Sequence, residues 1–344
     1  MRWLSGVSQA SFPIHKLPYL AQAEILKCLD PLELIDISLL SQRNRVIVKA
    51  TTKFSKAQVD VQFCVDFSVI IRIGENRYFF HADVNRKNNQ LLDQYRSSKQ
   101  LERTELRFVS IKLWAEYILD LFNTDIYYLL VHTGVCEGRM SSILSWIQKR
   151  QLVIPECQVL DTIEEEDGAE EIIYFLENCN VKNKLHITIT GDNENEKKLK
   201  GKFAMDELYI TQYDGHVMSW ITVDMIMTFN CVHIELGKVT LNASDVNEIL
   251  KSWISGNSLR RMKFFSAVTE PLEYETLTNG IEINEREETL TREFQHHSNP
   301  SKYVKITGGT DILNDEGFLG TFDQREIWWY FPLLEKFLMV VWNE

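Results

Sequence analysis

The densest set of side chains that could do chemistry is acidic: Glu164, Glu165, Glu166 and Asp167, followed by Glu170 and Glu171. Carboxylates this close could hold a cation or share acid and base roles. The run sits where a helix begins, and acidic groups there favour the helix dipole while staying in water. A solvated helix start is therefore the expected reading. Lys197, Lys198, Lys200 and Lys202 form a basic run that could meet phosphate. They follow Asp192, Glu194 and Glu196 in a polar stretch, and the glycine spacing of a phosphate loop is missing, so a solvated loop is expected. His296 and His297 are the only adjacent histidines, and neighbouring side chains diverge on most backbones. No cysteine or third histidine stands at ligand spacing, so neither a metal site nor a cofactor is expected. The sequence has no G-x-S-x-G, no H-E-x-x-H and no G-x-G-x-x-G after a strand, and no enzyme is expected. Trp328, Trp329, Phe331 and Pro332 would make a binding hot spot if exposed, but large aromatic residues more often fill cores.

The elements that could position a site begin at Phe12–Lys49. Pro18 suits a first helical turn, and Ile25, Leu26 and Leu29 make one apolar stripe. Asp30, Pro31 and Glu33 have the spacing of an N-cap, a first-turn proline and the third residue of a capping box. Leu34, Ile35, Ile37 and Leu39 fill the second helix, and Ser41 caps a third that carries Val46, Ile47 and Val48. Three short helices cannot bury so much Leu and Ile among themselves, so the rest of the chain or a partner must cover part of it.

The period then changes. Val59, Val61, Phe63, Val65 and Phe67 alternate with polar residues as a half-buried strand, and Gly74-Glu75-Asn76 reads as a turn into a hairpin partner. Ile111, Trp114, Ala115, Ile118 and Phe122 have helical spacing, as do Met140, Ile143, Leu144 and Ile147. From Val153 strands and helices alternate. One strand residue from each unit gives Val159, Ile189, Ile210, Ile234 and Phe264, which are 30, 21, 24 and 30 residues apart. This period predicts an irregular leucine-rich-repeat-like α/β stack with a mostly parallel curved sheet; a non-repetitive α/β domain alternates the same way. Val246, Ile249, Leu250 and Trp253 form the clearest helical stripe, with Gly256 placed to stop it. Residues 282–299 read as an exposed charged connection, Tyr303–Thr307 as a strand, Asn314–Gly317 as a hairpin turn, and Phe337–Trp342 as a closing strand. The division expected is 12–54 helical, 55–150 a strand hairpin with connecting helices, and 151–344 the α/β repeat, an α+β or α/β chain as a whole.

The bulk composition agrees with a globular chain. Hydrophobic residues make 44% and charged residues 25% of 344. A net charge of −12 argues against general nucleic-acid binding, which leans on Lys and Arg. Cys28, Cys64, Cys136, Cys157, Cys179 and Cys231 include no C-x-x-C pair and are expected as buried reduced thiols. Met1–Gly6 is followed by no apolar signal region. The most apolar stretch, Ile327–Trp342, is interrupted by Pro332, Glu335 and Lys336, so no membrane association is expected. The localisation expected is intracellular, in cytosol or nucleus.

Two resemblances emerge from these residues. Leu17-Pro18, then Ile25-Leu26, Leu29-Asp30-Pro31, Leu34-Ile35 and Leu39-Leu40-Ser41 with basic residues after it, resemble an F-box. The chain departs at Asn44, where that pattern often has Trp. The segment CVHIELGKVTLNASDVNEILKSWISGNSLRRMKFF, with the later DILNDEGFLGTF and MVVW, is similar to the type 2 F-box-associated domain of nematode F-box proteins. Together they imply the substrate-recognition subunit of a ubiquitin ligase. It would be non-catalytic, docking a Skp-family adaptor, and through it a cullin, by its helices. The C-terminal domain would hold a protein substrate. The adaptor contacts so implied are Leu17, Pro18, Ile25, Leu26, Leu29, Pro31, Leu34, Ile37 and Leu39, some of which must instead form the small core of the helices. No homo-oligomer is expected. Two other readings stay open at this stage: a binding module outside any ligase, and a small-molecule enzyme with its site at the carboxyl ends of the strands.

Overall fold

The computed structural model describes residues 16–51, 57–65, 67–81, 103–136, 138–161, 168–189, 203–212, 217–296, 303–326 and 335–342. The chain forms two compact units, Met1–Val61 with Phe67–Ile126, and Gln62–Asp66 with Tyr127–Glu344.

The first unit opens with α1 (Tyr19–Lys27), α2 (Pro31–Leu40) and α3 (Gln42–Thr51). Local chemistry sets the starts of α2 and α3. Asp30 accepts from the Glu33 amide at 2.9 Å while Glu33 accepts from the Asp30 amide at 3.0 Å, the predicted capping box, with Pro31 at the first helical position. Ser41 Oγ accepts from the Asn44 amide at 3.1 Å and caps α3. Leu26, Leu34, Ile35 and Val48 are fully buried. The helices are covered partly by α4 (Arg103–Phe122), which carries the predicted Ile111, Ala115 and Ile118 into the core. Ser38 Oγ and Tyr117 Oη lie 2.7 Å apart in a buried hydrogen bond, and Asp120 accepts from Arg45 and Lys49 at 2.9 and 2.5 Å. Strand β1 (Gln58–Phe63) neighbours β2 (Ser68–Ile73), which pairs antiparallel with β3 (Asn76–His81) through the predicted turn at Gly74. The single long strand expected through Phe67 instead stops at Phe63, and Val65 stands exposed.

The second unit is a mixed α/β layer. Its elements are β4 (Ile126–His132), α5 (Thr133–Cys136), α6 (Met140–Gln148), β5 (Ile154–Leu160), α7 (Gly168–Asn178), β6 (Val181–Ile189), β7 (Glu207–Gln212), α8 (Val223–Met227), β8 (His233–Lys238), α9 (Ala243–Ile254), β9 (Phe264–Thr269), α10 (Tyr274–Thr278), β10 (Asn284–Glu285), β11 (Thr291–Gln295), β12 (Tyr303–Thr307), β13 (Thr310–Leu313), β14 (Leu319–Glu326) and β15 (Glu335–Val341). Strands β4 to β9 are all parallel and lie side by side in the order in which they occur in the chain. Successive helices touch as well, α6 with α7, α8 with α9, and α9 with α10.

The expectation of a mostly parallel sheet needs correcting beyond β9. There the order continues β15, β14, β13, β10, every pair antiparallel. The reason is the connections. Parallel neighbours need a crossover of a dozen or more residues, whereas β13 turns straight into β14 through Asn314–Phe318. The apolar Phe337–Val341 therefore closes the sheet from within, between β14 and β9. Residues 282–299, expected as a plain connection, contain β10 and β11. Among the described residues β11 pairs with β12 alone; Thr291, Glu293 and Gln295 stand exposed, and charge on that wet face masks its alternation. No helix among the described residues is long and apolar enough to cross a membrane.

Candidate functional site

The structure sorts the nine apolar residues of the N-terminal helices. Leu26, Pro31 and Leu34 are buried within the first unit. These three are the residues of the expected set whose side chains the first unit covers. Leu17, Ile25, Leu29, Ile37 and Leu39 are half-buried and Pro18 is exposed. Gln22 Nε2 donates to the Leu17 carbonyl at 2.6 Å and fixes the entry to α1. Tyr19 and Leu20 were not singled out by spacing, yet with Leu40 and Val46 they are the large apolar residues these helices expose, Leu20 and Leu40 at 77 and 76%. Asn44, at the position of the missing Trp, is buried.

The second surface is one face of the parallel sheet. Alternation sends Cys157, Leu185, Leu208, Ile234 and Phe265, and with them Val159, Ile187, Ile210 and Leu236, into the core. The intervening residues line up across the strands by register. One row runs Glu156, Lys184, Glu207, His233, Phe264, and the next Gln158, His186, Tyr209, Glu235, Ser266. These rows are bonded laterally. Tyr128 Oη donates to Gln158 at 2.7 Å, His186 Nε2 lies 2.9 Å from Thr211 Oγ1, and Lys184 Nζ sits 4.7 Å from the Tyr209 ring centre. Phe294 from β11 stacks on Phe264 with 5.8 Å between ring centres, in a small cluster with Ile306, Leu338 and Val340. That cluster seats the β11–β12 hairpin on this face and brings His296 to it.

The environment there is strongly polarised. Burial pushes the Glu235 carboxyl up, but the hydrogen bond from His233 at 2.8 Å and the Lys336 ammonium at 3.5 Å outweigh it and hold the pKa at about 2. Burial and the Glu207 and Glu235 carboxylates push the Tyr209 phenol up. Burial and Lys184 push His186 down. The spacing rule that set His296 aside looked only along the chain, and its partners are on β7 and β8.

Among the other groups weighed, Glu170 is exposed on α7, while Glu171 accepts from the Met140 amide at 3.3 Å. Residues 162–167, 190–202, 297–302 and 327–334, which hold the acidic run, the basic run, His297 and the aromatic quartet, lie outside the described residues. Cys136, Cys157 and Cys231 are buried, and burial pushes the Cys136 thiol up to about 12; Cys28 is exposed, against the expectation of burial, because it sits past the last turn of α1. A cleft of about 450 Å³ opens at the carboxyl ends of β8 and β9, lined by Lys238, Asn242, Glu270 and Glu273 among others. Both glutamates are exposed and the lining contains no histidine.

A family described as F-box associated matches residues 195–267, the stretch from before β7 into β9. Searches of curated proteins and of solved structures found no match. Within the matched stretch several side chains serve as scaffold. Asp245 completes a capping box with Asn242 at the start of α9. Asn247 Nδ2 donates to the carbonyls of Leu277 and Asn279 at 2.7 and 3.0 Å, tethering the segment after α10. Leu250 and Trp253 fill the core, and Gly256 takes the positive φ of 66° that ends the helix. Gly320, in the later motif, leaves room for Trp253: a Cβ there would meet its ring at 3.0 Å and Met339 at 2.7 Å.

Proposed function

We propose that this chain is the substrate-recognition subunit of a Skp–cullin–F-box ubiquitin ligase, with residues 12–54 as the docking domain and 151–344 as the substrate receptor. The observation that carries this reading is the F-box-associated match at 195–267, in a chain whose first described elements are three short helices, two of them capped, exposing large apolar residues. The adaptor surface comprises Leu17, Pro18, Ile25, Leu29, Ile37 and Leu39, extended by Tyr19, Leu20 and Leu40. Burial of this surface drives docking. Strands wound side by side in chain order, with helices touching their successors, support the repeat-like architecture, and the half-buried part of the polar sheet face, Glu156, Gln158, Lys184, His186 and Tyr209, is its substrate surface. The chain itself does no covalent chemistry. It raises the effective concentration of a substrate lysine beside the ubiquitin-charged enzyme.

A second reading, that the helices are structural and the chain binds partners outside any ligase, is favoured by one observation. They are tied to α4 by the Ser38–Tyr117 hydrogen bond and the Asp120 ion pairs. Co-expression of the full chain with a Skp-family adaptor separates the two. Under the first reading the wild type elutes as a one-to-one complex, and a Pro18→Ser, Leu20→Glu double variant with an unchanged circular-dichroism spectrum does not. A soluble wild type that ignores the adaptor, or a folded variant that binds it equally well, overturns the ligase assignment.

A further inference from the structure

His233 and Glu235 stand two residues apart on β8 and so share the polar face of the sheet. His296 follows directly after β11 and is carried onto the same spot by the hairpin. One ligand atom from each of the three lies within 4.8 Å of the others. The rings of His233 and His296 are 4.3 Å apart between centres. Only 1% of His233 is exposed, and 10% of the His296 side chain.

A second, independent observation points the same way. Glu207, opposite His233 on β7, is 1% exposed, and its Oε1 has no hydrogen-bond partner. That atom lies 3.7 Å from His296 Nδ1. A buried carboxylate oxygen without a donor is costly. If His296 bound a cation through Nε2, its Nδ1–H would face Glu207. This is the carboxylate–histidine pairing that orients metal-bound imidazoles elsewhere. The Tyr209 hydroxyl, 2.9 Å from His296 Nε2 and 3.3 Å from Glu207 Oε2, borders the same space.

We propose that His233, Glu235 and His296 form a binding site for a zinc-type divalent cation, with Glu207 as the outer partner of His296. Two imidazoles and one carboxylate suit such an ion, whereas calcium and magnesium take all-oxygen sets. The metal would bridge β8 and the end of β11, fixing the hairpin on the sheet. Lys336 approaches the other oxygen of Glu235, so the carboxylate can face lysine on one side and metal on the other.

The test is metal analysis of the full chain after chelator treatment and equilibrium dialysis against micromolar zinc, with cobalt as a spectroscopic substitute. The expected result is one zinc retained per chain, a tetrahedral-type visible cobalt spectrum, and slower amide exchange in β11 when zinc is added. His296→Gln and Glu235→Gln abolish retention, and Glu207→Gln weakens it by about 10–100-fold. Circular dichroism identifies any variant that fails to fold; Glu207→Gln, which keeps the side-chain shape, then decides. Wild-type protein that retains no zinc, or retention unchanged in a folded His296→Gln or Glu207→Gln variant, overturns the proposal.

Discussion

Replacing Leu34 by alanine tests the assignment of this residue to the core of the N-terminal helices. Leu34 has no exposed surface, and its neighbour in sequence, Ile35, has none either. Removing the isopropyl end of the side chain takes three carbons out of an apolar setting, worth roughly 2 kcal/mol of transfer free energy at about 0.8 kcal/mol per methylene. The cavity left behind adds to this, because packed helices relax only in part, so the total should lie at about 3–4 kcal/mol. Amide hydrogen exchange resolved over Pro31–Leu40 is the suitable assay, since it reads the opening of α2 apart from the second unit. At about 1.4 kcal/mol per factor of ten, a loss of about 3 kcal/mol accelerates exchange there about a hundredfold. Leu40→Ala, at a residue 76% exposed, is the control and should change stability by no more than about 0.5 kcal/mol. A Leu34→Ala effect below about fivefold, or one no larger than that of Leu40→Ala, would refute the assignment and return Leu34 to the docking surface.

Two further outcomes follow from local chemistry. The hydrogen bond from Lys49, together with that from Arg45, outweighs partial burial and holds the Asp120 carboxyl below its ordinary value of 3.8. The folded state therefore binds the proton less readily than the unfolded state. The contribution is fully present above that ordinary value and disappears as pH falls through the lowered one. The stability difference between wild type and Asp120→Asn, followed by thermal melts, should shrink as pH drops below about 4; a difference that grows on acidification would be incompatible with this pairing. Asn242→Ala removes the acceptor for the Ser244 and Asp245 amides and should cost about 1 kcal/mol, read as a lower urea midpoint with an unchanged slope.

The N-terminal helices were legible because their signals are local. Asp30, Pro31, Glu33 and Ser41 act on amides within three residues of themselves, so their spacing in the sequence is their spacing in space. The α/β alternation was legible for the same reason, and Val159, Ile189, Ile210 and Ile234, which it had marked, are buried; Glu207 and His233 on the opposite face are buried too, which alternation did not foretell. The β11 strand was missed because its partner on one face is the sheet rather than a neighbouring segment, and its other face carries charge to solvent. The expected docking set mixed core with surface, since a helix can bury an apolar stripe against its own chain or against a partner with the same pattern.

What the sequence determined by itself is the identity and order of the elements: capped helices, alternating strands, and a turn at Asn314–Gly317, each set by interactions within a few residues. Tertiary structure decided everything that depends on which distant segments meet. It placed β15 between β14 and β9, turned Leu26 and Leu34 inward while leaving Leu20 outside, and carried His296 to His233 and Glu235. The physical reason is that burial and ligation depend on distance in space, and residues separated by tens of positions come together only once the sheet has chosen its register.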